Sequence, residues 1–119
     1  PFDLNDDHYH VSKACLAASR FFQRKSEKSN FLSLHYMEIQ SSTDWSYQGS
    51  GLSFSPNLYV EIDDFLENKI QALNLYKGVM REFPHPRSHE AIKGLAAYRG
   101  GQSGQSYSEA FQTVFSKEI

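Results

Sequence analysis

The sequence has little cysteine, little net charge and no long apolar stretch, and each shortage excludes a class of protein. Cys15 is the only cysteine, so no internal disulfide can form. We expect it to be a small buried side chain in a cytoplasmic protein. The net charge of −2 gives no electrostatic reason to expect a nucleic acid or an anionic membrane as partner. The longest apolar run, Ala14 to Ala18, is far too short to span a bilayer.

What is present has the composition of an ordinary folded domain. Hydrophobic residues make up 39% of the 119 positions and aromatic residues 14%, which excludes a disordered tail. No internal repeat and no domain boundary is visible. We therefore expect one domain over residues 1–119.

The first half of the chain predicts a helix followed by two strands. Asp6 or Asp7 caps a helix that ends near Gln23, because apolar residues recur there at helical spacing. The predicted strands are Phe31 to Ile39, buried on both faces, and Leu58 to Ile62. A long polar loop, Gln40 to Ser55, lies between the strands. Its aromatic residues Trp45 and Tyr47 either serve a function or simply pack the loop down.

The second half predicts helices separated by a proline turn. Asp64 caps a helix from Phe65 to about Met80, with Glu67 completing a capping box. The segment Phe83 to Glu90 is a rigid turn, since its two prolines fix φ. Three predictions complete the chain: a helix capped by Ser88 that runs to Arg99 and stops at Gly100-Gly101, a linker from Gln102 to Ser106, and a final helical turn or two from Tyr107 to Phe111.

The predicted strands are too few to cover the apolar faces of the predicted helices. Two strands form a marginal sheet in water without further strands or covering helices. We therefore expect the exposed edge to be covered by self-association into a dimer or higher oligomer, or by another polypeptide segment.

Several motifs in this sequence resemble one enzyme family. They are Asp3-Leu4-Asn5-Asp6-Asp7-His8, Tyr36-Met37-Glu38-Ile39-Gln40-Ser41-Ser42, Pro84-His85-Pro86-Arg87-Ser88, Tyr98-Arg99-Gly100, Gly104 and Tyr107-Ser108-Glu109-Ala110-Phe111. In this order they resemble the end of the LmbE/PIG-L family of zinc-dependent sugar de-N-acetylases. The family's Ala-His-Pro-Asp-Asp-Glu motif does not occur in these residues. The resemblance implies the C-terminal half of a Rossmann-like α/β fold, with few strands and about four helices.

The resemblance also implies roles for the residues at the first helix start. His8 matches a zinc ligand, Asp7 an orienting carboxylate, and Asn5 the position of a histidine that stabilises the tetrahedral intermediate. Asn5 can donate a hydrogen bond to an oxyanion but cannot transfer a proton. The other metal ligands and the general base belong to the missing motif, so we expect no zinc on this chain alone. Read without the family, an Asp-Asp-His start is a helix cap followed by an exposed histidine.

The proline turn supplies the predicted substrate-binding residues. His85 and Arg87 are placed to line a sugar pocket, Arg87 offering a planar donor fork to hydroxyls, carboxylate or phosphate. The alternative for Arg87, and the one we favour, is an ion pair with a carboxylate such as Glu109 that pins the predicted final helix. Arg99 is expected to bind helix C-terminal carbonyls. Glu38 either belongs to a site at the sheet end or caps a strand.

Two functions of different class follow from these observations. The first is amide hydrolysis of an N-acetylglucosamine-type conjugate by the complete enzyme, with zinc as cofactor. The second is a non-catalytic domain that associates with itself or with another chain. For these 119 residues alone, the missing ligands favour the second.

Overall fold

A computed structural model describes residues 1–24, 31–47 and 53–118. Its elements are α1 (Asp6–Arg24), β1 (Ser33–Met37), a 3-10 turn (Asp44–Ser46), β2 (Leu58–Glu61), α2 (Leu66–Asn74), α3 (His89–Ser103) and β3 (Ser108–Ser116). The α/β class is therefore confirmed, with three α-helices in the described ranges where about four were predicted. Part of the predicted loop, residues 48–52, lies outside the described residues.

The three described strands form one antiparallel sheet in the order β1-β3-β2. The two outer strands overlap only at Phe111, which lies opposite both Met37 of β1 and Leu58 of β2. A Rossmann-like sheet is mainly parallel. The observed sheet and helices show an α/β class, but the antiparallel pairing does not by itself show a Rossmann-like arrangement, which stays a prediction.

The central strand β3 occupies the segment for which a final helical turn was predicted. That prediction, and with it the count of two strands, is wrong. Ser108 and Ala110 are buried while Glu109 between them is half-buried, which is the alternation of a strand. Aromatic and β-branched residues, including Phe111, Thr113 and Phe115, favour an extended chain. The predicted segment, Tyr107 to Phe111, has only five residues, which is too short to distinguish the two-residue period of a strand from the period of a helix.

The caps of α3 explain both its predicted start and its unpredicted end. The hydroxyl of Ser88 accepts a hydrogen bond from the Ala91 N–H at 3.1 Å, which confirms the predicted cap. The helix continues beyond Gly100-Gly101 to Ser103 and ends at Gly104, whose φ is +77°. The predicted end is wrong because glycine weakens a helix by only about 1 kcal/mol. Gly100 instead permits a close approach, since a Cβ there would lie 2.5 Å from the Ser106 carbonyl oxygen.

Helix α2 is shorter than predicted and begins without a side-chain cap. It ends at Asn74, well before Met80, and the chain then turns through Gly78 at φ +71°. Phe65 occupies the N-cap position, so the predicted capping by Asp64 is wrong. Glu67 accepts a hydrogen bond from Lys93 of α3 at 2.9 Å, and no described contact closes a capping box.

The hydrophobic core lies between α2, α3 and the β2–β3 side of the sheet. It consists of Ile62, Leu66, Ile70, Ile92 and Ala96, with Leu73, Met80 and Tyr107 packed against it. Helix α1 lies apart from this core, beside β1. An open cavity of about 300 Å³, lined by Cys15 and Tyr36 among others, separates the two elements. Cys15 is exposed on the side of this cavity, so its predicted burial is wrong.

Candidate functional site

The start of α1 is shaped by Asn5 and not by the aspartates predicted to cap it. The Asn5 side-chain oxygen accepts a hydrogen bond from the Asp7 N–H at 2.9 Å. The Asn5 backbone N–H in turn donates to the Asp3 carboxylate at 3.0 Å. This is the ordinary chemistry of an N-cap residue, so the predicted capping by Asp6 or Asp7 is wrong. The cap engages the Asn5 oxygen and leaves its amide nitrogen as a donor.

His8 is oriented by a carboxylate that the sequence did not reveal. Its Nδ1 lies 2.7 Å from an Asp3 oxygen, and Asp3 is almost fully buried. The Asp7 carboxylate makes no hydrogen bond within the described residues and is exposed. Histidines that bind metals usually hold a carboxylate or carbonyl on one ring nitrogen, which leaves the other nitrogen for the metal. Asp3 lies in the irregular segment before α1. A contact between such a segment and the helix that follows has no fixed sequence spacing, so the sequence did not predict Asp3 as the partner of His8.

A cavity of about 320 Å³ brings predicted residues from both ends of the chain together. We call it the His8–Arg87 cavity. It lies where the start of α1, the end of β1, α2 and the turn before α3 meet. Its polar lining residues are Asn5, His8, Glu38, Gln40, Ser41, Ser42, Lys69 and Arg87. Asn5, His8 and Arg87 were predicted as site residues, whereas Asp7 and His85 do not line this cavity. Its volume is at the lower end of the range for small-molecule sites.

Arg87 has no ionic partner in the described part of the chain. Its Nε is buried without any hydrogen-bond partner. The alternative of a pair with Glu109 is wrong, because Glu109 accepts from Lys69 at 2.6 Å. Leaving a buried donor unpaired destabilises a protein by about 1–3 kcal/mol, and by more when the group is charged. The guanidinium is therefore available to a ligand.

His85 holds the proline turn in shape. Its Nδ1 accepts a hydrogen bond from the Arg87 N–H at 3.0 Å, and its ring meets the edge of Trp45 with centroids 5.1 Å apart. The Gln40 amide donates to the Pro86 carbonyl at 2.9 Å. For Trp45, these contacts favour the interpretation that the aromatic residue packs the loop down. Tyr47 is largely exposed.

Glu38 is neutralised by a two-point ion pair with Arg99. The Arg99 Nε and one terminal nitrogen donate to the two Glu38 oxygens at 2.9 and 2.6 Å, with both side chains nearly buried. The hydrogen bond to Glu38 raises the pKa of Arg99 above its usual value, although burial acts against it. The predicted role of Arg99 at helix carbonyls is therefore replaced by a link between the end of β1 and α3.

The described residues do not form a zinc site by themselves. No group of three or more histidine, cysteine, aspartate or glutamate side chains among them is arranged to hold a metal ion. A catalytic zinc requires three protein ligands and an open position. The His8–Arg87 cavity offers one suitably oriented imidazole, so further ligands would have to come from elsewhere.

Comparisons of this chain with protein-family models, curated proteins and solved structures find no match. No helix among the described residues is long and apolar enough to cross a membrane.

Proposed function

We propose that this chain forms the substrate-binding part of a zinc-dependent amide hydrolase that acts on N-acetylglucosamine-type conjugates, and that it is inactive alone. The observation that carries the proposal is the His8–Arg87 cavity. It gathers Asn5, His8 and Arg87, three residues predicted for the site, from segments about eighty positions apart. In this proposal the antiparallel sheet is one margin of a larger Rossmann-like sheet in a cytoplasmic enzyme.

The cavity residues have separable roles in this reaction. Asp3 fixes the His8 ring, which leaves the second ring nitrogen to face a ligand. The Asn5 amide nitrogen is free to donate to the oxygen of the acetyl group as negative charge develops on it. Arg87 supplies donors for oxygen substituents of the sugar. The described residues do not complete a zinc site, so in this proposal the metal-dependent step requires side chains from another segment.

The test has two parts, which are determining the sequence upstream of Pro1 and assaying a pair of variants. An in-frame His-Pro-Asp-Asp motif upstream supports the proposal, and the protein that includes it should bind zinc and release acetate from an N-acetylglucosamine conjugate. His8→Ala should abolish both properties. His10→Ala is the matched control, because the His10 ring bonds only the Asp6 carbonyl on the surface of α1.

Two results would contradict the proposal. The first is stoichiometric zinc with turnover in the 119-residue chain, because the proposal makes this chain inactive alone. The second is full activity of His8→Ala in the longer protein. Metal analysis and an acetate-release assay provide both readouts.

A second candidate function, self-association, is favoured by the exposed surface. On α1, Val11, Phe21 and Phe22 are 61%, 69% and 52% exposed. Exposed apolar surface of this kind is typical of protein interaction sites. We propose that a second copy of this chain covers it.

A difference between the two edges of the sheet supports an interface at β1. Strand β1 has neither a charged residue nor a proline, the usual protection of an edge strand, whereas β2 ends at Glu61 and follows Pro56. The exposed apolar residues Val11 and Phe21 lie on α1, the helix beside β1.

Val11→Lys should therefore weaken the dimer, and Val60→Lys on β2 should leave it intact. Analytical ultracentrifugation at micromolar concentration measures both. A monomeric wild-type chain, or equal effects of the two substitutions, would contradict the interface.

A further inference from the structure

We propose that the His8–Arg87 cavity binds a negatively charged oxygen group, a carboxylate or a phosphate, through the Arg87 guanidinium. The inference deepens the proposed function, because it adds a charged substituent to the sugar conjugate that the cavity would take. It is carried by the charges around Arg87.

The other charged side chains near the cavity are already paired. Glu38 is bound at both oxygens by Arg99. Lys69 is bound by Glu109 at 2.6 Å. His8 is bound by Asp3. Arg87 alone among the charged lining residues has no ion pair within the described ranges, and its Nε is buried without a partner.

The paired groups also explain why no protein carboxylate takes the Arg87 guanidinium. Glu38 is the carboxylate that lines the cavity, and its oxygens face Arg99 at 2.9 and 2.6 Å. An ion pair between Glu38 and Arg87 would break the pair between Glu38 and Arg99. The Arg99 guanidinium would then lose its carboxylate partner. The cavity therefore keeps one unbalanced positive charge beside neutral donors.

The shape of guanidinium and the position of Arg87 in the chain both favour an oxyanion. A guanidinium presents donors in a planar fork that matches the spacing of oxygens in carboxylate and phosphate. Arg87 directly precedes Ser88, the N-cap of the fifteen-residue helix α3, whose positive dipole end adds to the potential there. Ser41 and Ser42 also line the cavity, and a serine hydroxyl can act as a further donor.

Isothermal titration calorimetry with three probes tests the inference: inorganic phosphate, malonate and uncharged N-acetylglucosamine. We expect phosphate or malonate to bind the wild-type chain, and the stronger of the two identifies the preferred anion. Arg87→Met should weaken that binding by about tenfold or more, and Arg87→Lys should restore part of it as a point charge without the fork. Arg81→Met is the control, since Arg81 is exposed and lines none of this cavity.

Direct observation of Arg87 guards against a variant that fails to fold. In wild-type protein, the NMR resonance of the Arg87 Nε–H should shift on addition of the bound anion, while that of Arg81 stays. Failure of both anions to bind, or an unchanged Arg87 resonance, would overturn the anion site. Failure of N-acetylglucosamine alone would leave the anion site standing and count against the sugar-binding function.

Discussion

The two ends of this chain differ sharply in how well they are packed. Every buried apolar residue in the described structure belongs to the segment from β2 to β3: Ile62, Leu66, Ile70, Ile92, Ala96 and Ala110. Among residues 1–22 and 31–47, whose burial the structure describes, the buried positions are the serines Ser12 and Ser41. We call residues 58–116 the packed layer and α1 with β1 the open layer.

The difference shows where the molecule depends on something else. Most helical stability in proteins comes from packing an apolar face, and short helices are marginal in water without it. Helix α1 leaves Val11, Phe21 and Phe22 exposed. The candidate site lies on the boundary between the two layers, with His8 from the open layer and Arg87 from the packed one.

The largest expected effect comes from truncating one side chain in each layer. Leu66 is 2% exposed, so Leu66→Ala should lower the free energy of unfolding by about 2–5 kcal/mol. Val11 is 61% exposed, so Val11→Ala should change the free energy of unfolding of the monomer by less than about 0.5 kcal/mol. Urea unfolding at low protein concentration measures both. Equal losses would remove the distinction between the layers.

Adjacent glycines in α3 test how closely the packed layer is fitted. Gly100→Ala places a Cβ against the Ser106 backbone and should destabilise the protein by about 1–3 kcal/mol. Gly101→Ala meets no atom within 4 Å and should stabilise the helix by about 0.5–1 kcal/mol. The midpoints of thermal unfolding of the two variants should thus shift in opposite directions from that of the wild-type protein. The same sign for both would contradict the close approach.

The helix caps should respond differently in the two layers. Ser88→Ala removes a buried cap from α3 and should lower the free energy of unfolding by about 1–2 kcal/mol. Asn5→Ala should reduce the helical circular dichroism of α1 while leaving the global unfolding midpoint nearly unchanged. A midpoint shift for Asn5→Ala as large as that for Ser88→Ala would show that α1 unfolds with the packed layer.

The smallest effect concerns Tyr36, which faces α1 across the cavity. Burial raises the pKa of Tyr36, and the nearby Cys15 thiolate adds to the shift. Because the folded state then binds its proton more tightly than the unfolded state, stability is full below pH about 10 and falls as the pH rises beyond it. Tyr36→Phe should reduce that alkaline loss. The tyrosinate absorbance titration of wild-type protein should contain one late-ionising tyrosine that is missing from Tyr36→Phe.

In the packed layer the sequence predicted the Ser88 cap and strand β2, but it did not predict strand β3 or the ends of α2 and α3. Ser88 was recognisable because a capping hydroxyl acts on the next turn of its own helix. The strand β3 was missed because its pairing with β1 and β2 is non-local, and the glycines before it suggested a helix end. The bounds of α1 were close to correct because amphipathic spacing persists over nineteen residues.

The candidate site was predictable by residue type but not by partner. Asn5, His8 and Arg87 were found, and the structure places them around one cavity. Their partners were not, because the contacts that matter join distant or irregular segments: Asp3 with His8, Glu38 with Arg99, and Lys69 with Glu109. The zinc, substrate and oligomer predictions remain proposals.

Hydrogen exchange followed by mass spectrometry tests the contrast between the layers most directly. At low protein concentration, we expect amides of α3 and β3 to exchange only through global unfolding, and those of α1 to exchange orders of magnitude faster. At high concentration, association of two copies should slow exchange in α1 and β1. Protection of α1 equal to that of α3 at every concentration would contradict the account.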